Sequence, residues 1–137
     1  MNTKIILLCF TAIYLLGCKT KSTKIEVVTL VKTSNSWNGD TLPKYLEGKP
    51  EITILKITIP AKTKLELHKH SEINAGVLLK GKLKVISESK DTLYLNAGDP
   101  IVELVDKWHY GENNENESAE IIVFYAGIKG TPITTIK

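Results

Sequence analysis

The chain has 137 residues, 42% of them hydrophobic, and a formal net charge of +3; that length supports one domain with a real core and excludes two. Its 18 basic residues are all lysine, spread among 15 acids. Lacking a basic stripe, and lacking arginine for bidentate contacts, they read as solvated surface and argue against a nucleic-acid partner.

The N-terminus is a different kind of text. Lys4 precedes an apolar run from Ile5 to Leu16, broken only by Thr11, and Gly17-Cys18 follows. A short basic start, a short apolar segment and a small residue before the cut describe a secretory signal. The run falls short of the roughly 20 residues of a membrane-spanning helix. Leu15-Leu16-Gly17-Cys18 resembles the lipobox of bacterial lipoproteins. The resemblance implies that residues 1–17 are removed and that Cys18 becomes a lipidated first residue, which would hold the protein at the cell envelope, on the periplasmic or outer face. Cys9 would leave with the signal, so the mature chain has no second cysteine for a disulfide.

Residues 18–24 then form the lipidated end and a polar tether, and residues 25–137 the domain. Ile25–Val31 is a first strand candidate. Thr33–Pro50, rich in Asn, Gly, Asp and Pro, reads as a long loop carrying Trp37 and Tyr45. Strand candidates follow at short spacing: 51–59, 64–70, 73–79, 82–87, 92–95, 101–105, one opening at 109–111, and 120–125 as the most apolar. Short strands separated by turn signals, with no crossover helix, predict an all-β sandwich or barrel with antiparallel pairing.

Chemistry concentrates in His68-Lys69-His70. Residues two apart on a strand share a face, so both imidazoles can lean towards one ion at about 2.0–2.1 Å. His109 is the third and last histidine of the chain. A fold that returns it over the first pair gathers all three.

Around these histidines the sequence resembles the cupin family. The first cupin motif reads Gly, five residues, His-x-His, three or four residues, Glu, six residues, Gly. Lys62 stands at its first glycine, His68 and His70 match, Asn74 stands at the glutamate, and Gly81 closes on spacing. The second motif reads Gly, five residues, Pro-x-Gly, two residues, His, three residues, Asn. Gly98, His109 and Asn113 match, while Leu104 and Asp106 replace proline and glycine. The resemblance covers roughly Ile52 to Tyr125 and implies a single-domain jelly-roll β-barrel with a metal inside. It implies His68, His70 and His109 as ligands of one divalent transition metal ion: Fe, Mn, Ni, Cu or Zn. Asn74 is then a fourth ligand or a hydrogen-bond donor to a bound water. Asn113 would support the ligand loop, with a plain turn role as its alternative.

Glu72 shares strand parity with the two histidines and is a candidate replacement for the lost carboxylate. Trp108 is a candidate for the pocket mouth, with core packing as its alternative. Three neutral ligands leave the full metal charge exposed and favour a small anionic or chelating molecule; with Fe(II) the expected chemistry is that of a dioxygenase. The alternatives are a non-catalytic binding or sensing lipoprotein, and a degenerate barrel with an empty site. Many cupins form homodimers, so a homodimer is a further expectation.

Overall fold

The computed structural model describes residues 23–137; the expected signal sequence and Cys18 lie outside the described residues. Every element named among them is a strand: β1 (Pro50–Ile59), β2 (Thr63–Lys64), β3 (His68–Lys69), β4 (Ile73–Lys80), β5 (Lys82–Ser87), β6 (Thr92–Asn96), β7 (Pro100–Val102), β8 (His109–Asn113), β9 (Ala119–Ile128) and β10 (Thr135–Ile136). They form two sheets. One has the order β1-β9-β4-β7; the other runs β10-β3-β8-β5-β6, with β2 also paired to β8. Strand-to-strand pairing is antiparallel throughout, as the absence of crossover helices requires.

The hydrophobic pattern fixes the register. Along β9 the odd positions Ala119, Ile121, Val123 and Tyr125 are buried, and along β5 so are Leu83 and Val85. These side chains meet between the sheets with Ile59, Leu78, Leu95 and Ile101 to form the core. A one-residue slip would turn every one of them to solvent, which is why alternation specifies pairing so strongly.

Most predicted strands appear within a residue or two of their expected bounds. Four expectations need correction. The strand expected at 101–105 ends at Val102. The stretch 64–70 is two short strands rather than one, because the chain pauses over Leu65–Leu67 before His68 pairs across to β8. The C-terminal β10 was not expected; only two residues long, it is defined by its partner β3 and not by any pattern of its own. Ile25–Val31 belongs to neither sheet, and Ile25 and Val27 are 95% and 85% exposed. A β-prone sequence forms a strand only when an edge accepts it. The β7 edge receives the next segment instead: Trp37 donates its backbone N–H to the Val102 carbonyl at 2.9 Å.

The turn geometry supports the motif alignment. Gly81 and Gly98 have φ of 79° and 98°, the left-handed region that glycine enters without strain. Lys62 and Asp106, which stand where the motifs carry glycine, are also left-handed, with φ of 56° and 54°. The backbone keeps the motif conformation even where the glycine is gone.

Candidate metal centre

Elementary strand geometry brings the three histidines together. His68 on β3 is the direct cross-strand partner of His109 on β8, and such partners project to the same face. His70 follows two residues on, its backbone tied by a bridge to Val105 and by an Asp106 N–H bond to its carbonyl at 2.7 Å. The ring centroids of the three pairs lie 4.6–5.1 Å apart. One ring nitrogen from each histidine lies within 4.8 Å of the other two.

The protonation of each ring follows from its partner. Nδ1 of His68 faces the Glu66 carbonyl at 2.7 Å, that of His70 the Ile133 carbonyl at 2.8 Å, and that of His109 the Lys107 carbonyl at 2.9 Å. A carbonyl only accepts, so every Nδ1 carries the proton and every Nε2 keeps its lone pair. Burial lowers the pKa of all three, that of His70 to about 4, so the rings stay neutral at ordinary pH. Neutral imidazoles with oriented Nε2 lone pairs are what a transition metal requires, and backbone carbonyls holding the remote nitrogens are the usual means of fixing them.

The histidines lie in a cavity of about 310 Å³ between the sheets. Its other walls are largely apolar, with Leu55, Ile57, Leu83, Ile121 and Val123 among them, and its polar end adds Glu103, Tyr125 and Thr134. The Tyr125 ring lies 5.4 Å from that of His70, and burial, with Glu103 nearby, pushes its hydroxyl up to about 12. It therefore remains a proton donor.

Glu103 is the residue that sequence reasoning missed. It follows β7 directly, is buried, and places Oε2 3.5 Å from Nε2 of His109. Neither atom has a hydrogen-bond partner, and burial pushes the carboxyl up to about 7. A signal was present: Ile101 and Glu103 share strand parity, so a glutamate occupied the inward register of an apolar strand.

The other expected site residues lie outside the cavity wall, and Asn113 takes the turn role that was its alternative. Asn74 is buried opposite Tyr125 on β4; its Nδ2 donates to the Glu72 carbonyl at 3.2 Å and its Oδ1 has no hydrogen-bond partner. It is not part of the cavity wall. Glu72 lies against Gly127, where its Oε1 accepts the Ile128 N–H at 3.2 Å, and it too is absent from the wall. Trp108 sits on the outside, beneath the ammonium groups of Lys69 and Lys137. Asn113 shares β8 with His109 and pins a turn: Nδ2 donates to the carbonyls of Ile59, Pro60 and Glu117, and Oδ1 accepts from the Glu115 N–H.

The donor set fits a metal ion. With Glu103 ionised, two buried lone-pair atoms face each other unpartnered at about 1–3 kcal/mol each, and a cation between them removes the conflict. Two antiparallel sheets closed over such an interior define a cupin fold, the double-stranded β-helix. Solved structures bear the fold out. An uncharacterized conserved protein with a double-stranded β-helix domain from Klebsiella pneumoniae matches with a TM-score of 0.56 at 13% identity, over 82% of this chain and 97% of that one. The DMSP lyase DddQ from Ruegeria pomeroyi matches with a TM-score of 0.56 at 16% identity, over 63% and 43%. The oxalate decarboxylase of Lactobacillus farciminis matches with a TM-score of 0.54 at 21% identity, over 62% and 26%. The chain thus spans less than half of either enzyme, and the likeness is one of fold. No protein-family model and no curated protein matches the chain.

Proposed function

We propose that this chain is an exported, lipid-anchored cupin that holds one divalent transition metal ion on His68, His70 and His109 and acts on a small organic molecule. The observation that carries the metal is the set of three Nδ1-to-carbonyl bonds, which leave three Nε2 lone pairs converging in one cavity. The cavity supports the substrate class. Apolar walls on one side and a metal-type centre on the other suit a molecule with a hydrophobic body and one anionic or chelating head, such as a carboxylate, enolate or thiolate. If the ion is Fe(II), it supplies oxygen-activating chemistry, and dioxygenation is the favoured reaction. The chain's own part is to orient the head through Tyr125 and Thr134 and to exclude water with Leu83, Ile121 and Val123. Anchoring rests on the lipobox-like Leu15-Leu16-Gly17-Cys18.

Elemental analysis of the protein purified without oxygen should find one equivalent of metal per chain. Oxygen uptake by the Fe(II)-loaded form should appear with members of a thiol, diketone and flavonoid panel. Ligand-induced stabilisation without turnover would convert the reading to a binding protein; no melting-temperature rise with any divalent metal would end it. Cys18→Ala should move the protein from the membrane to the soluble fraction.

A further inference from the structure

We infer that Glu103 is the anionic fourth ligand of this centre, supplied by the strand next to the one that carries the expected position. The inference rests on the metal reading above and goes beyond it in naming a ligand. β7 pairs with β4, and the pairing continues one residue further, where the Glu103 N–H donates to the Asn74 carbonyl at 3.1 Å. The residue that stands at the motif's glutamate and the residue that carries the carboxylate are therefore backbone neighbours. The carboxylate has moved sideways by one strand.

The backbone of Glu103 is tied on both sides. Its N–H goes to Asn74, and its carbonyl accepts the Ser36 hydroxyl at 2.8 Å. With the main chain so fixed, the side chain turns into the cavity, where Oε2 finds no donor. No lysine lines that cavity, so the wall offers no counter-charge to a buried carboxylate. Nε2 of His109, 3.5 Å away, offers only a lone pair. Two donors on metal bonds of about 2.0–2.2 Å stand roughly 3–3.5 Å apart at ordinary coordination angles. That separation suits His109 and Glu103 as two ligands of one ion. Glu103 stands outside the group formed by the three histidine nitrogens, so its side chain must turn towards His68 and His70 when the ion enters.

A carboxylate in the shell changes what the site asks of its substrate. The centre carries one net positive charge instead of two, and in a six-coordinate shell two positions remain open. A single anionic group then neutralises it.

The test is metal titration of the purified protein with Zn(II), and with Co(II) for its absorption spectrum, in wild type, His109→Ala and Glu103→Gln. Loss of a partner that only orients a ligand already costs roughly 10–100-fold in affinity, so Glu103→Gln should weaken binding by on the order of 100-fold and alter the Co(II) spectrum. The metal-free variant should melt no lower than wild type, since an unpaired buried carboxylate has been removed. Binding by Glu103→Gln within about threefold of wild type, with an unchanged Co(II) spectrum, would overturn the ligand role and leave the histidine centre standing, provided His109→Ala still fails to bind. A wild type that binds neither metal overturns both. If Glu103→Gln does not fold, a structure of metal-loaded wild type decides. Oε2 within about 2.3 Å of the ion supports the inference, and an oxygen beyond about 3 Å overturns it.

Discussion

Glu72 and Glu103 are both buried glutamates, one just before β4 and the other just after β7, and their surroundings differ. Glu72 sits over Gly127 with the Ile128 N–H on its Oε1. Glu103 also receives a backbone N–H, from Leu104, but its Oε2 is without any donor and faces a histidine nitrogen that is equally bare. A protein interior normally satisfies its polar groups, because each one left open costs free energy. Where a group is satisfied it belongs to the scaffold; where two complementary ligand atoms are left open side by side, they mark the place reserved for something else. Asn113 and His109 repeat the contrast on a single strand. The first makes four hydrogen bonds and the second leaves Nε2 free.

The strongest way to break this division is at His109. His109→Ala removes one of the three Nε2 lone pairs and should abolish stoichiometric metal binding, a loss of at least ~100-fold. The melting-temperature rise that metal gives the wild type should vanish with it. A variant that still held one equivalent by elemental analysis would show that the open atoms do not mark the site.

Much of this centre was legible in the chain itself. The spacing of His68 and His70 predicted a common face, the cupin resemblance added His109, and pairing of His68 with His109 brings them together. Lys62 and Asp106 broke the glycine pattern, yet both adopt the conformation the pattern demands. Parity failed for Glu72 because the chain bends at Ser71 and Glu72 between β3 and β4, so counting by twos from His70 no longer tracked one face. Glu103 was hidden for another reason. Its relation to Asn74 runs through a pairing of strands far apart in sequence, which no local period reveals. The C-terminal segment was equally silent, although its Ile133 carbonyl orients His70. Ile25–Val31 misled in the opposite sense: it has the composition of a strand and no sheet partner.

The satisfied side of the comparison is sharpened by Asn113→Ala. Three carbonyls lose their donor and Glu115 N–H its acceptor. Stability should fall by about 2–3 kcal/mol, since buried groups left unpaired cost more than an average bond. For a domain of this size that is a melting-temperature drop of roughly 10 °C. Metal affinity of the folded variant should stay within about threefold of wild type, because Asn113 contacts none of the histidines. A large loss of affinity would make this asparagine part of the centre.

Gly127→Ala makes the same point with a smaller effect. A Cβ at Gly127 would fall 1.8 Å from Cδ of Glu72, so the carboxylate must swing away and abandon the Ile128 N–H. The glycine has no left-handed φ that would strain alanine, and alanine gains some stability by restricting the unfolded chain. The net cost should be about 1 kcal/mol, one lost hydrogen bond partly offset. Pairing it with Glu72→Ala isolates the cause: the methyl then enters the space the carboxylate left, and the two changes together should cost less than their sum. Neither change should alter metal affinity. If Gly127→Ala did weaken the metal, displacing Glu72 would have reached the histidines, and the line between scaffold carboxylate and open carboxylate would have to be redrawn.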